Sequence, residues 1–143
     1  MKNTLNLWFS RVLQEALAVT LCMVLFVFTA CSSQVVISSE LSAPELIQRA
    51  QEASDRNRYK VSLQYYEAVL ERYAFNPEYI CEAEYEIAFI KYKQKDYTAA
   101  KTGLSALLKR YDNQDAEFLP QHFRILANIV LGKIDASENQ RKK

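Results

Sequence analysis

The side chains of this chain that could do acid–base, nucleophilic or metal chemistry are few, and their spacing keeps them apart. His122 is the only histidine, and Pro120 just before it puts it in the first turn of a helix. The cysteines Cys22, Cys31 and Cys81 are too scattered, with one histidine, to supply a tetrahedral metal site. Glu82, Glu84 and Glu86 form a carboxylate cluster by number, yet residues two apart on a helix point in different directions. A solvated face with one or two of them lining a groove is the simpler reading. Gly103 and Gly132 are the only glycines, and both fall at helical positions, so no phosphate-cradling loop can form. No nucleophile–base pair emerges. The chain reads as a protein that is not an enzyme, with no cofactor and no metal site.

Cys31 is different, because its chemistry comes from its position. It closes the stretch Ala16–Cys31, ALAVTLCMVLFVFTAC, which follows Lys2 and Arg11, and no charge occurs between Glu15 and Glu40. A positive start, an apolar run and small residues at the end have the form of a secretory signal. Phe28-Thr29-Ala30-Cys31 also resembles the bacterial lipoprotein signal. That resemblance implies a diacylglyceryl group on the Cys31 thiol, cleavage before it, and acylation of the new amino terminus. Two or more chains anchor a protein stably, since each buried methylene contributes about 0.8 kcal/mol. Glu15, directly before the apolar run, and the long segment preceding it depart from the pattern.

Two other readings of the same stretch exist. A transmembrane helix needs roughly 20 apolar residues. Ala16–Ala30 supplies 15 before Ser32-Ser33-Gln34 interrupts; a single-pass anchor that includes Leu13 is the alternative to cleavage. A buried core helix would show a polar stripe, which this run lacks.

Cleavage would leave Cys31–Lys143, 113 residues, enough for one domain. The expected divisions are a signal peptide over 1–30, a lipidated tether over 31–41, a helical domain over 42–136 and a polar basic tail over 137–143. Without Lys2, Arg11 and Glu15 the chain carries 16 basic and 16 acidic side chains, a balance that gives no long-range attraction to nucleic acid. Cys81, alone in an oxidising compartment, is expected in the core as a small hydrophobe.

Few glycines and prolines argue for long regular elements. Ser42-Ala43-Pro44-Glu45 has the form of a capping box, and Leu46, Ile47, Ala50 and Ala53 follow at helical spacing. Asn57 is expected to cap a second helix carrying Tyr59, Leu63, Tyr66, Val69, Leu70 and Tyr73. Asn76-Pro77 starts a third with Ile80, Ala83, Ile87, Ala88 and Ile90. Asp96 caps a fourth with Tyr97, Ala100, Leu104, Leu107 and Leu108. A fifth begins near Asp115 or Pro120 and carries Phe123, Ala127, Val130 and Ile134. The first pair lies over the second at an offset of 38 residues, with Ala50 on Ala88, Ser62 on Ala100, Tyr66 on Leu104 and Arg72-Tyr73 on Arg110-Tyr111. Such a period marks stacked repeats. The eight residues from Ala88 to Asp96 recur from Ala127 to Asp135, which makes the fifth helix the first half of a third repeat.

These residues resemble the tetratricopeptide repeat, with small residues at the helix crossings, a turn of the Asn57-Arg58-Tyr59 and Lys95-Asp96-Tyr97 kind, and Tyr66 and Leu104 after the second small residue. The family's aromatic residue or leucine at the fourth position is Leu46 in the first repeat but Glu84 in the second, with the adjacent Tyr85 as the alternative. The longer spacing and the Arg-Tyr endings resemble the tetratricopeptide lipoproteins of the outer-membrane β-barrel assembly machine (BamD type). The resemblance implies an all-α fold of antiparallel helix-turn-helix repeats, two full ones and a terminal helix, in a short right-handed solenoid. It also implies a lipid-anchored, protein-binding adaptor on the periplasmic face of the outer membrane, with other envelope proteins as partners. A ligand-binding accessory of a transporter is the alternative. In such a fold the first helix of each repeat lines the concave surface, which makes Glu84, Tyr85 and Lys91 candidates for partner contact. The segment Phe123–Ile134 is apolar around most of its circumference, so Ile125 and Ile129 are candidates for binding another protein or a second copy of this chain.

Overall fold

The computed structural model describes residues 35–141. These form α1 (Ala43–Asp55), α2 (Tyr59–Arg72), α3 (Pro77–Lys93), α4 (Tyr97–Arg110) and α5 (Gln121–Arg141), with a short 3-10 helix, Gln114–Phe118, before α5. There is no strand among the described residues. The anchor residue Cys31 and the apolar run before it lie outside them. Among the described residues no helix is long and apolar enough to cross a membrane.

Most helix starts follow from local chemistry. At α1 the Glu45 carboxylate reaches back to accept the Ser42 N–H at 2.8 Å. The Asn76 side chain accepts the N–H groups of Glu78 and Tyr79 at 3.0 and 3.3 Å, and Asp96 accepts that of Ala99 at 3.1 Å. The exception is α2, where Arg58 occupies the capping position without a side-chain bond. Asn57, expected there, instead ends α1 with φ 56°, and its Oδ1 accepts the Tyr59 hydroxyl at 2.7 Å. Asparagine tolerates this left-handed backbone better than most residues. Lys95, 38 residues on, repeats the conformation with φ 63°. Both turns close alike: Arg58 N–H donates to the Ala53 carbonyl at 2.8 Å and Asp96 N–H to that of Lys91 at 3.0 Å.

Each pair of helices forms an antiparallel hairpin joined at small residues. The buried Ser62 hydroxyl donates to the Ala50 carbonyl at 2.7 Å across the first. In the second, Ala88 and Ala100 are both buried, and Ala88 lies directly against Gly103. The core falls into two clusters that share α3. Ala83 and Ile90 join Leu46, Tyr66 and Val69 on one side; Cys81, Tyr85 and Ala88 join Leu104, Leu107 and Phe123 on the other. A helix that packs on one hairpin and opens the next is the arrangement of a stacked-repeat, all-α protein.

The structure corrects three details of the sequence reading. First, α5 stands 44 residues after α3, not 39: its start at Gln121 matches Pro77, and the buried Phe123, Ala127 and Ile134 match Tyr79, Ala83 and Ile90. The connection from α2 to α3 has four residues (73–76) and that from α4 to α5 has ten (111–120), which accounts for the six extra. Asp135 therefore caps nothing. It sits within α5 and, with Glu138, holds the Lys101 ammonium, each at 2.7 Å. Second, α5 runs to Arg141, so residues 137–141 are helical rather than a tail.

Third, the end of the expected tether is docked. The Val35 N–H donates to Gln64 Oε1 at 2.9 Å, the Arg72 guanidinium to the carbonyls of Ser38 and Ile37 at 2.8 and 3.4 Å, and the Tyr73 hydroxyl to that of Leu41 at 3.2 Å. Val35, Ile37 and Leu41 pack on the first core cluster.

Candidate partner-binding surface

The sequence candidates on α3 do not form one surface. Tyr85 is only 6% exposed, ring-stacked with Phe89 at 5.7 Å and tilted against Phe123 at 5.8 Å. It is a core residue that joins α3 to α5 and has no face left for a partner. Glu84 accepts two bonds from Arg110, from Nε at 2.7 Å and from Nη2 at 2.6 Å. That fork holds the Arg110 guanidinium more firmly protonated than usual. Glu84 thus replaces the apolar contact of its counterpart Leu46 with an ion pair inside the second hairpin. Lys91 is half-buried.

Shifting the face by two residues finds the open stripe. Glu82, Glu86, Phe89 and Lys93 recur at helical spacing along α3, all partly exposed, and look toward α1. Gln51 of α1 donates to Glu82 Oε1 at 3.3 Å, and the Lys93 ammonium bonds the Ser54 hydroxyl. The same ammonium stands 5.2 Å from the Phe89 ring centre and 5.3 Å from that of Tyr59. Neither Glu82 nor Glu86 forms an ion pair among the described residues. Burial pushes both carboxyls above their ordinary range, and the nearby Glu78 adds to this at Glu82. At Glu86 the Lys93 charge acts the other way, while Glu82 and Asp55 add to the rise. Beneath them the buried Tyr66 hydroxyl has no hydrogen-bond partner, and burial together with Glu86, Glu82 and Asp55 raises its pKa. This is a strip of half-desolvated negative charge beside an aromatic ring. It suits a cationic side chain that ion-pairs with the carboxylates and lies along the edge of the Phe89 ring, whose faces stack with Tyr85 and Tyr92. A 3–4 periodicity search for polar residues, in place of apolar ones, would have exposed it.

Ile125 and Ile129 are where the sequence reading put them, on the outer side of α5 and 61% and 48% exposed. Cys81 is fully buried, and burial pushes its thiol pKa up, so it packs as a hydrophobe and is a poor nucleophile. Among the described residues no group of histidine, cysteine and carboxylate side chains could hold a metal ion. The crevice lined by Val35–Ile37 and by Gln64, Glu67 and Glu71 of α2 is open to solvent.

No protein-family model matches the chain, and no solved structure does. The chain is similar to a protein of Treponema pallidum (strain Nichols) described as uncharacterized. The two are 30% identical over 112 residues, which cover 76% of this chain and 45% of that relative, so the chain spans less than half the relative's length.

Proposed function

We propose that this protein is a lipid-anchored adaptor of the bacterial cell envelope that holds a basic segment of a partner protein along the Glu82–Glu86–Phe89 stripe. The observation that carries the reading is the pair of half-buried carboxylates without an ion-pair partner among the described residues, next to the partly exposed Phe89 ring. A partner's lysine or arginine would relieve the cost of keeping two charges partly out of water. The stacked hairpins supply a rigid surface for such a segment. The anchor rests on Phe28-Thr29-Ala30-Cys31 at the end of the apolar run. The likeness to tetratricopeptide lipoproteins supports the periplasmic face of the outer membrane as the setting.

A photocrosslinking residue at Phe89, introduced in intact cells, tests the stripe. The adaptor reading expects a crosslinked partner that is lost when Glu82 and Glu86 are both changed to lysine, and retained when the distant Glu67 is changed. Crosslinking indifferent to the charge reversal would remove the basis of the reading. Fatty-acid labelling that persists in Cys31→Ser would separately remove the lipid anchor.

A further inference from the structure

The three first helices of the repeats share a face whose fate differs in α5. With offsets of 38 and then 44 residues, Ala43 of α1 corresponds to Cys81 of α3 and Ile125 of α5. Likewise Ile47 corresponds to Tyr85 and Ile129, and Ala50 to Ala88 and Gly132. In α1 and α3 all these residues are buried. In α5 Ile125 and Ile129 are exposed, and a Cβ added at Gly132 would meet nothing within 4 Å. So α5 keeps a helix-receiving face, including the small residue at the crossing, with no helix on it among the described residues. Three of the six exposed large hydrophobics of the described residues, Ile125, Leu126 and Ile129, lie on this helix.

We infer that this face is covered by the same face of a second copy, the two α5 helices running antiparallel about a twofold axis. The face fits itself. Setting Ile129 against the partner's Gly132 places Ile125 against the partner's Ala136, so each contact is large on small, and the twofold repeats both contacts. The same register sets His122 opposite Asn139, and it leaves the two exposed Lys133 side chains on one flank, about 7.5 Å apart along the helix direction, where both reach into solvent. The acidic residues of the helix, Asp135 and Glu138, are turned away toward Lys101. The paired stretch, His122–Asn139, is about 27 Å long. Two such faces bury on the order of 1,000 Å² in total, at the lower end for specific contacts, so the dimer is expected to be reversible. The pairing is independent of the acidic stripe on α3.

The test uses the full-length chain in mild detergent, with Cys22 and Cys31 changed to serine. One version carries Ile125→Cys and another Ala136→Cys. Both positions are exposed, and circular dichroism checks that each variant folds as the parent does. Oxidising a mixture of the two should give a disulfide dimer joined through 125 and 136, while either version alone should give none. Sedimentation should show a dimer of the parent that Ile129→Asp weakens at least about tenfold. A crosslink in the single versions would overturn the antiparallel register. No crosslink in the mixture, a monomer throughout, or association that survives Ile129→Asp would overturn the pairing itself.

Discussion

Gly103 stands so close to Ala88 that a Cβ on it would lie 2.9 Å from the Ala88 Cβ, inside any real carbon–carbon contact. The second hairpin therefore depends on a hydrogen at that position, and the neighbour is a helix-borne methyl group that cannot swing away.

Gly103→Ala should lower stability by about 1 kcal/mol. Overpacking costs about 1–3 kcal/mol, and the better helix propensity of alanine returns about 0.5–1. Gly132→Ala meets no neighbour within 4 Å in the single chain and, measured at concentrations where the chain is monomeric, should raise stability by about 0.5–1 kcal/mol. Urea unfolding of the two variants should give opposite signs. Stabilisation by both would mean that α3 and α4 do not approach this closely.

Glu84→Leu restores the residue type found at the counterpart position, Leu46, which is fully buried. It should leave stability within about 1 kcal/mol of the parent, because the pair with Arg110 is partly exposed and modest. Arg110→Ala should cost about 1 kcal/mol, since it leaves Glu84 half-buried without its fork. A double-mutant cycle should return a coupling of about 0.5–1 kcal/mol; a value near zero would show that the two side chains do not act together.

What the amino-acid sequence revealed was set by how local the cause was. Ser42 with Glu45, Asn76 with Pro77, and Asp96 all start helices with side chains within three residues of the backbone they cap, and each is found doing so. The offset that lays Ala50 on Ala88 was equally legible, because the turns at Asn57 and Lys95 are built alike. The next offset was not, since the ten-residue connection before α5 interrupts the period and Ala127 offered a false match to Ala88. Tyr85 and Glu84 were misassigned for a related reason. On a helix a shift of two residues changes the face, and only the packing of Phe123 against Tyr85 shows which face is covered. The docking of Val35–Leu41 depends on Gln64, Arg72 and Tyr73, about 30 residues away in sequence, and no local pattern announces it.

Glu86→Gln should stabilise the protein at neutral pH. Burial raises the folded carboxyl pKa above its ordinary 4.5, so the folded state holds the proton more tightly than the unfolded one. The stability linked to that proton is fully present below pH 4.5 and is lost as pH rises through the folded pKa. The advantage of the glutamine should therefore be largest above that window and vanish below it in thermal melts. An advantage that is the same at every pH would exclude ionisation as its cause.

Arg72→Ala with Tyr73→Phe removes three of the bonds that hold the amino-terminal arm. The expected cost is about 1 kcal/mol per strong bond, concentrated in the arm. Hydrogen exchange at the Val35 amide, now held by Gln64, should speed up by at least about tenfold, while amides of α4 stay unchanged. Equal acceleration in both would mean that the arm and the helices open as a single unit.

The face of α5 that no described residue covers also makes the two sides of the described stack unequal. In a linear array each unit is stabilised by its neighbours, so a helix covered on one side opens more easily than one covered on both. At the other end the arm from Val35 to Leu41 lies over the first core cluster and acts as a lid on it. Whenever that face is uncovered, thermal fluctuations should open α5 before the other described helices. Anything that settles on α5 becomes a brake on unfolding of the entire domain, far from where it touches.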